Sequence, residues 1–362
     1  MQPETLSQPL LAWFHENKRI LPFRTESTPY RVWVSEIMLQ QTRVSAVLDY
    51  FERFMKELPT VQALAECPPD RLMKLWEGLG YYSRARNLQK AAQVIVAQYG
   101  GKLPADYKAL LALPGIGEYT AGAIASISFG LPVTAVDGNV LRVFSRVLWD
   151  EGDILRPDTK KHLTAQAAYF QPPDAPGAYN EALMELGALV CLPNGAPLCT
   201  ECPLSHLCEA HRRGRETELP HKTPKKARRR ERYTALLILR RENETPQILL
   251  TRRPADGVLA GLWQPVLLEG TLSKAEAESA LAALGLHAKV CKAAPKARHI
   301  FTHLEWELSG WVCRFESGTL SQEHVWANAA GLCGEYALPN AVKAYSDLAK
   351  EMLSCCPDRF SL

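Results

Sequence analysis

Two segments of the chain carry carboxylates in settings that could support chemistry. Glu36 lies in PYRVWVSEIMLQQTRV, residues 29–44, whose apolar residues recur at helical spacing after a Thr28 N-cap. Burying a carboxylate in such a helix is unfavourable by several kcal/mol unless the group is paired or takes up a proton. Asp137 lies in TAVDGNVLRVFSRV, residues 134–147, directly before an amphipathic helix. An N-cap role alone would explain Asp137, because Asp before Gly is common there.

A glycine-rich turn precedes Asp137 by about twenty residues. In LALPGIGEYTAG, residues 111–122, two glycines predict a tight hairpin between helices, with the second helix beginning near Glu118. The backbone N–H groups of such a turn can bind a DNA phosphate, although the same pattern also forms purely structural turns. A carboxylate brought near that hairpin suggests chemistry at the sugar. The residues expected at the phosphate are Pro114, Gly115 and Gly117.

Four cysteines cluster after the last predicted helix of this region. Cys191, Cys199, Cys202 and Cys208 have the spacing C-x7-C-x2-C-x5-C. Four thiolates so close together can enclose one metal centre, either tetrahedral zinc or an iron–sulfur cluster, and composition does not choose between them. A long chain without an export signal points to a reducing compartment, where clustered cysteines more often bind metal than form disulfides.

These groups must be positioned by helices, because residues 1–210 read as nearly all helix. Candidate helices cover residues 6–17, 29–40, 43–57, 70–78, 83–99, 118–129, 138–148, 159–169 and 178–190. The segment 211–232 predicts a basic interdomain linker, with ten Lys or Arg against three Glu from Arg212 to Arg232. Such an excess can attract a polyanion or can belong to a solvated linker.

Residues 233–362 predict a smaller α/β domain. YTALLILRR (233–241) and PQILLTRRP (246–254) look like a strand pair, 273–285 an amphipathic helix, 303–315 further strands, and 340–353 a last helix. His299 and His303 could bind metal, but histidines near a strand more often lie at the surface or form hydrogen bonds. The predicted fold is therefore an all-α domain followed by an α/β domain.

The composition describes an ordinary globular protein, with 47% apolar residues, 22% charged residues and a net charge of +3. Residues 1–16 contain acidic residues and no apolar h-region, so no secretory signal is expected. The longest uncharged run, 119–136, is broken by Gly130 and Pro132, which favours a buried helix and turn over a membrane span. We expect a cytoplasmic protein, associated with the nucleoid if it binds DNA, without membrane contact.

Five segments, in order, resemble those of adenine DNA glycosylases of the MutY type, which are helix–hairpin–helix glycosylases with an iron–sulfur cluster. The segments are VSEIMLQQT (34–42), WEGLGYYSRARNL (76–88), LPGIGEYTAG (113–122), VDGNV (136–140) and YNEALMELGALVC (179–191). The resemblance covers almost the whole chain. It implies one 4Fe–4S cluster on the four cysteines, although the first cysteine gap is seven residues where the family usually has six. It also implies a monomer acting on double-stranded DNA with adenine opposite 8-oxoguanine or guanine.

The resemblance assigns catalytic roles. Glu36 matches the acid that protonates the leaving adenine, and Asp137 matches the aspartate that faces the oxocarbenium-like sugar. Asn139 and Glu181 match polar residues that hold the site and its water, which adenine reaches by leaving the duplex. Tyr119 stands where related endonucleases for oxidised pyrimidines have a lysine that nicks the strand through a Schiff base. A tyrosine cannot form one, so base removal without efficient strand cleavage is expected.

The resemblance also implies DNA contacts. Gln41 and Tyr81 are expected near the opposite base, with Leu79 in the loop that probes the helix. Thr302 and His303 match the loop of the second domain that reads 8-oxoguanine, here FTH where FSH is common. The other members of these sets are Thr42, Gly80 and Phe301. The second domain resembles a Nudix fold without the G-x5-E-x7-RE-x2-EE helix, which favours recognition over diphosphate hydrolysis.

Two other functions stay open. A pyrimidine-damage glycosylase with lyase activity is the enzymatic alternative, and a lysine at position 119 would have favoured it. A non-catalytic DNA-binding protein could use the hairpin, the metal centre and the basic linker for docking. The presence of both Glu36 and Asp137 weighs against that second alternative. Protein partners of the basic linker are not identified by its sequence.

Overall fold

The computed structural model describes residues 2–224 and 227–354. The chain divides into two compact units, Met1–Glu66 with Arg86–Pro224 and Cys67–Ala85 with Lys225–Leu362. The second unit thus includes a segment, Cys67–Ala85, that we expected in the helical domain. Lys225 and Lys226 of the predicted linker, and residues 355–362 of the predicted second domain, lie outside the described residues.

The first unit is built from helices. In chain order they are α1 (Pro3–Asn17), α2 (Pro22–Thr25), α3 (Pro29–Leu39), α4 (Val44–Glu57), α5 (Val61–Glu66), α6 (Pro69–Leu75, in the second unit), α7 (Ser83–Tyr99), α8 (Tyr107–Leu111), α9 (Glu118–Ala123), α10 (Gly138–Leu148), α11 (Pro157–Tyr169), α12 (Pro176–Leu189) and α13 (Glu209–Arg212). A π-helical turn, Ile124–Ser128, continues α9, and short 3-10 turns cover Cys199–Glu201, Ser205–Leu207 and Glu216–Glu218.

Side-chain caps and apolar stripes explain where these helices form. The Thr28 hydroxyl accepts the Arg31 N–H at the start of α3, as expected. The stripe of α10 contributes Val140, Phe144 and Val147 to a core shared with α1 and α12. The predicted helices are confirmed to within a few residues at their ends, whereas the short helices α2, α5, α8 and α13 were not predicted.

The second unit contains a mixed sheet. Its elements after residue 226 are β1 (Arg229–Glu242), β2 (Thr245–Arg252), β3 (Trp263–Glu269), α14 (Lys274–Ala283), β4 (Leu286–Ile300), β5 (Leu304–Gly318), β6 (His324–Ala327), α15 (Ala329–Gly334) and α16 (Lys343–Ser354). Among the described residues the strand order is β4-β5-β1-β3-β2-β6, with β1 and β5 parallel and the other neighbours antiparallel. Leu237 and Leu239 pack on one face, Leu236 and Ile238 on the other. Burial on both faces explains the continuous apolar run of β1.

The expected hairpin at the start of this domain is confirmed. β1 and β2 pair antiparallel around Asn243 and Glu244, which both have positive φ, as a tight two-residue turn requires. β1 begins at Arg229, so the end of the predicted linker is strand. The strands β3, β4 and β6 were not predicted. β4 is an edge strand with Pro295, several Ala and register irregularities, and its pairing with β5 compensates for weak local propensity.

No helix in the described ranges is both long enough and apolar enough to cross a bilayer. The uncharged run 119–136 forms α9, the π turn and a loop, as the sequence indicated.

Candidate active site

A cavity of about 640 Å³ opens among helices of the first unit, a size typical of ligand pockets. Its walls include Glu36 from α3, Tyr119 from α9, Asp137 and Asn139 at the start of α10, and Glu181 from α12. The structure therefore brings together all five residues expected to be catalytic, although they are spread over more than 140 positions of the chain.

Glu36 is a buried carboxyl whose hydrogen-bond donor is Tyr119. Glu36 is only 7% exposed, and the Tyr119 hydroxyl donates a hydrogen bond of 2.5 Å to its Oε2. Burial raises the pKa of Glu36 to about 7, assisted by the charges of Asp137 and Glu181 and opposed by the Tyr119 bond and Arg24. A large fraction of Glu36 is thus protonated at neutral pH and can donate a proton.

Asp137 combines an N-cap with a place in the cavity. Its Oδ1 accepts the N–H groups of Asn139 and Val140 at 2.8 and 2.9 Å, and its Oδ2 accepts Asn139 Nδ2 at 2.7 Å. Burial raises the pKa of Asp137 while these hydrogen bonds oppose the rise. The bonds fix the direction of the carboxylate, so the N-cap geometry and the expected catalytic role are compatible.

A chain of hydrogen bonds leads from Asp137 to the first cysteine. Asn139 Oδ1 accepts Arg142 Nη2 at 2.8 Å, and Arg142 Nε donates to the Cys191 carbonyl at 2.8 Å. Arg142 Nη2 also donates to the Gly187 carbonyl at 2.7 Å. A Cβ at Gly187 would lie 2.5 Å from Asn139 Cβ, so glycine there lets α12 approach Asn139 closely. Sequence reasoning missed Arg142, a charged residue in an otherwise apolar stripe.

Asn180 holds the loop that leads to Asp137. This fully buried amide accepts the Ala135 N–H at 3.1 Å and donates to Ser126 Oγ at 2.8 Å and to the Val133 carbonyl at 2.9 Å. On the other side of the loop, a Cβ at Gly122 would lie 2.4 Å from the Thr134 carbonyl oxygen. The loop is therefore clamped between α9 and α12.

A buried ionic cluster forms one wall of the cavity. Arg24 Nε contacts Glu181 Oε1 at 3.0 Å and Arg24 Nη2 contacts Glu185 Oε2 at 2.9 Å. Arg19 binds Glu185 through its backbone N–H, Nε and Nη2. Burial raises the pKa of Glu181. Burial also acts to raise the pKa of Glu185, but its hydrogen bonds with Arg19 and Arg24 outweigh burial and bring that pKa down to about 2.

Sequence reasoning missed Arg19, Arg24 and Glu185. The available signal was the i,i+4 spacing of Glu181 and Glu185 in the mostly apolar stretch YNEALMELG. Two like charges on one helix face require cations from elsewhere in the fold.

The four cysteines surround a second, smaller cavity with apolar walls that include Val143, Leu186 and Leu204. Arg146 Nη1 lies 3.2 Å from Cys191 Sγ. Among the described residues, the potential ligand atoms within 4.8 Å of one another belong to Cys199, His211 and Glu216, and no three of the cysteine sulfurs form such a group. The sulfurs are thus arranged around a space rather than collapsed on one point.

The glycine-rich turn joins α8 to α9, as expected for a helix–hairpin–helix. Gly115 has a φ of +75°, and a Cβ there would lie 2.6 Å from Asn87 Cβ. Gly117 is the N-cap of α9 and, like Gly115, is exposed, whereas Pro114 is half-buried. Gln41, just after α3, is exposed with a φ of +57°. Thr42 is half-buried and donates through its hydroxyl to the Gln40 carbonyl at 3.3 Å.

The remaining expected DNA contacts lie in the second unit. Tyr81 is 45% exposed, Gly80 is half-buried, and Leu79 is buried in this structure. Thr302 and His303 are exposed. The Tyr81 and Thr302 hydroxyls are hydrogen-bonded at 2.7 Å, so the structure brings these two predicted loops together.

The second loop is flanked by aromatic side chains that pack against one another. Phe301 is half-buried and packs edge-on against Trp306 and His299. Burial lowers the pKa of His299. Neither His299 nor His303 belongs to a group of converging metal-ligand atoms among the described residues.

The chain is similar to known DNA repair proteins. Residues 34–168 match the profile of the HhH-GPD superfamily base excision DNA repair proteins, and residues 234–348 match the NUDIX domain. The chain is 41% identical to the adenine DNA glycosylase of Rattus norvegicus, over 70% of this chain and 58% of that protein. It is 37% identical to the adenine DNA glycosylase of Mus musculus, over 82% of this chain and 68% of that protein.

A solved structure of a thermostable thymine-DNA glycosylase superposes with a TM-score of 0.54 and 27% identity, covering 58% of this chain and 97% of that one. The chain thus spans little more than half the length of the rat relative, and its helical fold is shared with glycosylases of more than one stated base specificity.

Proposed function

This chain belongs to the adenine DNA glycosylases, and we propose that it excises adenine paired with 8-oxoguanine, or with guanine, by hydrolysing the N-glycosidic bond. The observation that carries the proposal is the buried Glu36 carboxyl, with a pKa of about 7, in one cavity with the Asp137 carboxylate. A proton donor and an anion facing the same space are what acid-assisted cleavage of a glycosidic bond needs.

The proposed reaction begins when adenine rotates out of the duplex into the cavity. The Glu36 carboxyl donates its proton to a ring nitrogen of adenine as the N-glycosidic bond breaks. The bond electrons leave with the base, which departs neutral, and the sugar becomes an oxocarbenium-like cation. The Asp137 carboxylate stabilises that cation. Water then bonds to C1′ and gives up a proton that restores the Glu36 carboxyl.

The supporting residues of the cavity have separate proposed roles. The Tyr119 hydroxyl, bonded to Glu36, orients the acid. Asn139 aims Asp137 through its side-chain amide. Glu181, paired with Arg24, holds a polar wall for base and water. Tyr119 offers no amine, so a Schiff base cannot form at this position and the abasic strand is left intact.

We also propose that Cys191, Cys199, Cys202 and Cys208 hold one 4Fe–4S cluster. A tetrahedral zinc with Zn–S bonds of about 2.3 Å draws its sulfurs to about 3.8 Å from one another. The cysteine sulfurs form no such tight group, and they surround a space lined mostly by apolar side chains together with Arg146, His211 and Glu216. That wider spacing favours an iron–sulfur cluster over a single zinc ion. When bound, the cluster cross-links the loop 191–208 at four points. Base release itself uses only the residues of the larger cavity.

Each unit is proposed to make its own contacts with DNA. Gln41, Thr42 and the loop Leu79–Tyr81 would contact the duplex beside the lesion, and Thr302 and His303 would contact 8-oxoguanine. Two glutamates support recognition rather than hydrolysis by the second unit. Glu276 closes a capping box with Ser273, and Glu278 accepts the Val290 N–H at 2.8 Å, so both are engaged in backbone contacts. The proposed partner is double-stranded DNA bound by a monomer.

The test uses labelled duplexes that contain adenine opposite 8-oxoguanine, adenine opposite guanine, or thymine glycol opposite adenine. We expect strand breaks at adenine that appear only after hot alkali, because the protein leaves an intact abasic strand. Breaks without alkali, or breaks at thymine glycol, would support the lyase alternative instead.

Two variants complete that test. Glu36→Gln keeps the size of the side chain but removes the proton donor, so we expect loss of excision with DNA affinity retained. Glu52→Gln, on the exposed face of α4, is the matched control and should behave as wild type. Full base release by Glu36→Gln would reject the acid assignment.

A further inference from the structure

The turn around Tyr81 is rigidly built. Gly78, Gly80 and Tyr81 all have positive φ, at +101°, +70° and +46°. Trp76 Nε1 donates to the Gly80 carbonyl at 3.1 Å, and Arg84 Nη2 donates to the carbonyls of residues 79 and 80 at 3.2 Å. The Arg84 guanidinium also lies over the Tyr81 ring, 5.4 Å from its centroid. These internal contacts hold the turn in one conformation.

Lys74 attaches the segment before the Tyr81 turn to the rest of the second unit. Its Nζ contacts the Leu332 and Tyr336 carbonyls, both at 3.0 Å, and Glu77 Oε2 at 2.6 Å. An ammonium has three hydrogens, and all three have acceptors here. Leu332 lies in the last turn of α15, whose carbonyls lack partners within the helix. Lys74 therefore caps α15 from a distant part of the sequence.

Glu77 makes the second attachment. While one carboxylate oxygen binds Lys74, Oε1 accepts the Leu338 N–H at 2.7 Å. Directly after it, the Gly78 carbonyl accepts Asn340 Nδ2 at 3.1 Å. Residues 74–78 are thus bonded in order along residues 332–340, and the Tyr81 turn follows at once.

This attachment places the turn against the loop expected to read the opposite base, because the Tyr81 hydroxyl meets the Thr302 hydroxyl at 2.7 Å. We propose that Lys74 and Glu77 are positioning residues for recognition of the base opposite adenine: by bonding the segment 74–78 to residues 332–340, they hold Tyr81 beside Thr302. The inference rests on the proposed function, since it assigns a discrimination role within it. Neither residue touches the reacting atoms.

Both charged side chains are largely buried, so an opposite charge nearby stabilises each of them. Lys74 and Glu77 have side chains that are 10% and 24% exposed. Removing Glu77 takes this counter-ion from the Lys74 ammonium, and removing Lys74 takes away one contact of the Glu77 carboxylate, in a poorly solvated place. The segment is then expected to rearrange toward water. The Tyr81 turn would then lose its fixed position relative to Thr302, while the cavity residues of the first unit are untouched.

The test compares Lys74→Met, Glu77→Gln and the double variant with wild type in the full-length protein. Single-turnover excision rates and DNA affinities are measured for adenine opposite 8-oxoguanine and opposite guanine. We expect each single variant to lower the ratio of the two affinities about tenfold, equivalent to about 1.4 kcal/mol. The single-turnover rate at saturating protein should stay close to wild type. The double variant should lose less than the sum of the singles, since the pair acts as a unit.

Lys343→Met is the matched control. Lys343 forms an exposed i,i+4 ion pair with Asp347 on α16. Its discrimination ratio should equal that of wild type. Wild-type discrimination in the Lys74→Met and Glu77→Gln variants, or an equal loss in Lys343→Met, would overturn the proposal.

A second measurement separates this inference from the proposed function. Hydrogen exchange of the backbone amides at 78–82 should speed up in Lys74→Met, and Lys74→Arg should restore slow exchange in part because it keeps the charge. This result does not depend on any DNA activity. If wild type fails to excise adenine, the proposed function falls but this positioning claim is still tested. Unchanged exchange in Lys74→Met would reject it.

Discussion

At the scale of single residues, burial of the Glu36 carboxyl is unfavourable for stability but supports its proposed role as a proton donor. Its carboxyl is buried among apolar neighbours, and the hydrogen bond from Tyr119 offsets only part of the desolvation. A fully paired carboxylate would hold its charge and lose its proton, as Glu185 does between two arginines. The two glutamates lie in one cavity, yet their surroundings move their pKa values in opposite directions.

The raised pKa of Glu36 has a consequence for stability. The pKa of this carboxyl is about 7 in the folded protein and near its ordinary value of 4.5 in the unfolded chain, so stability falls as pH rises between these values. We expect wild type to lose about 2 to 3 kcal/mol of unfolding free energy relative to Glu36→Gln between pH 5 and pH 8, as roughly 1.4 kcal/mol per unit implies.

Urea denaturation of both proteins at a series of pH values measures this difference. The comparison cancels titrating groups that do not interact with Glu36, whereas the coupling of Glu36 to Asp137 and Glu181 is part of the measured difference. Parallel pH profiles for wild type and Glu36→Gln would show that Glu36 titrates normally in the folded state.

At the scale of secondary-structure elements, the site depends on close approaches between helices and one loop. The loop before Asp137 runs between α9 and α12, where Gly122 and Asn180 leave no spare room. The π turn after α9 shifts the following residues, and π turns often occur at functional sites. The direction of Asp137 is thus set by neighbours in three elements rather than by its own N-cap alone.

Gly122→Ala tests this clamp. The new Cβ would begin 2.4 Å from the Thr134 carbonyl oxygen, so helix or loop must move, which we expect to destabilise the protein by about 2 kcal/mol. Displacement of Asp137 should also slow single-turnover excision. Gly117→Ala is the control for stability, because its Cβ meets nothing within 4 Å. Equal urea midpoints for Gly122→Ala and wild type would show that the contact is not tight.

At the scale of the whole molecule, each unit contributes one kind of function to the proposal. The first unit contains the reacting cavity and the four cysteines, and the second contains the Tyr81 and Thr302 hydroxyls. Asn139 and Arg142 connect Asp137 to the Cys191 carbonyl. Loss of the proposed cluster is therefore expected to displace Asp137 in the cavity. The cysteine loop is therefore expected to matter for both folding and activity of the first unit.

Metal analysis tests that expectation. We expect the purified protein to carry iron and acid-labile sulfide, with zinc at background, and to be yellow-brown. Cys202→Ala should lose the iron, lower the unfolding temperature of the first unit and slow excision. Cys333→Ala is the control, because Cys333 is exposed in the second unit. Stoichiometric zinc without iron would reject the cluster assignment, while leaving Glu36 and Asp137 as proposed.

Much of this protein was determined by local sequence. Apolar residues at helical spacing, with Thr28 and Asp137 as caps, predicted α3 and α10 because helix periodicity and capping are local properties. The polar turn between two apolar runs predicted the β1–β2 hairpin for the same reason. The ordered motifs identified Glu36, Asp137 and the cysteines as candidates, since their residue types carry chemistry wherever they occur.

Only the tertiary structure decided which groups meet. Arg19 and Arg24 reach Glu185 across more than 160 positions, and no local pattern specifies such a contact. The edge strand β4 forms because β5 offers it hydrogen bonds, against its own weak propensity. Lys74 lies in the last turn of α6 and Glu77 lies just after that helix, yet they bond residues 332–338. Long-range burial and pairing determine these contacts, and they exist only once the chain has folded.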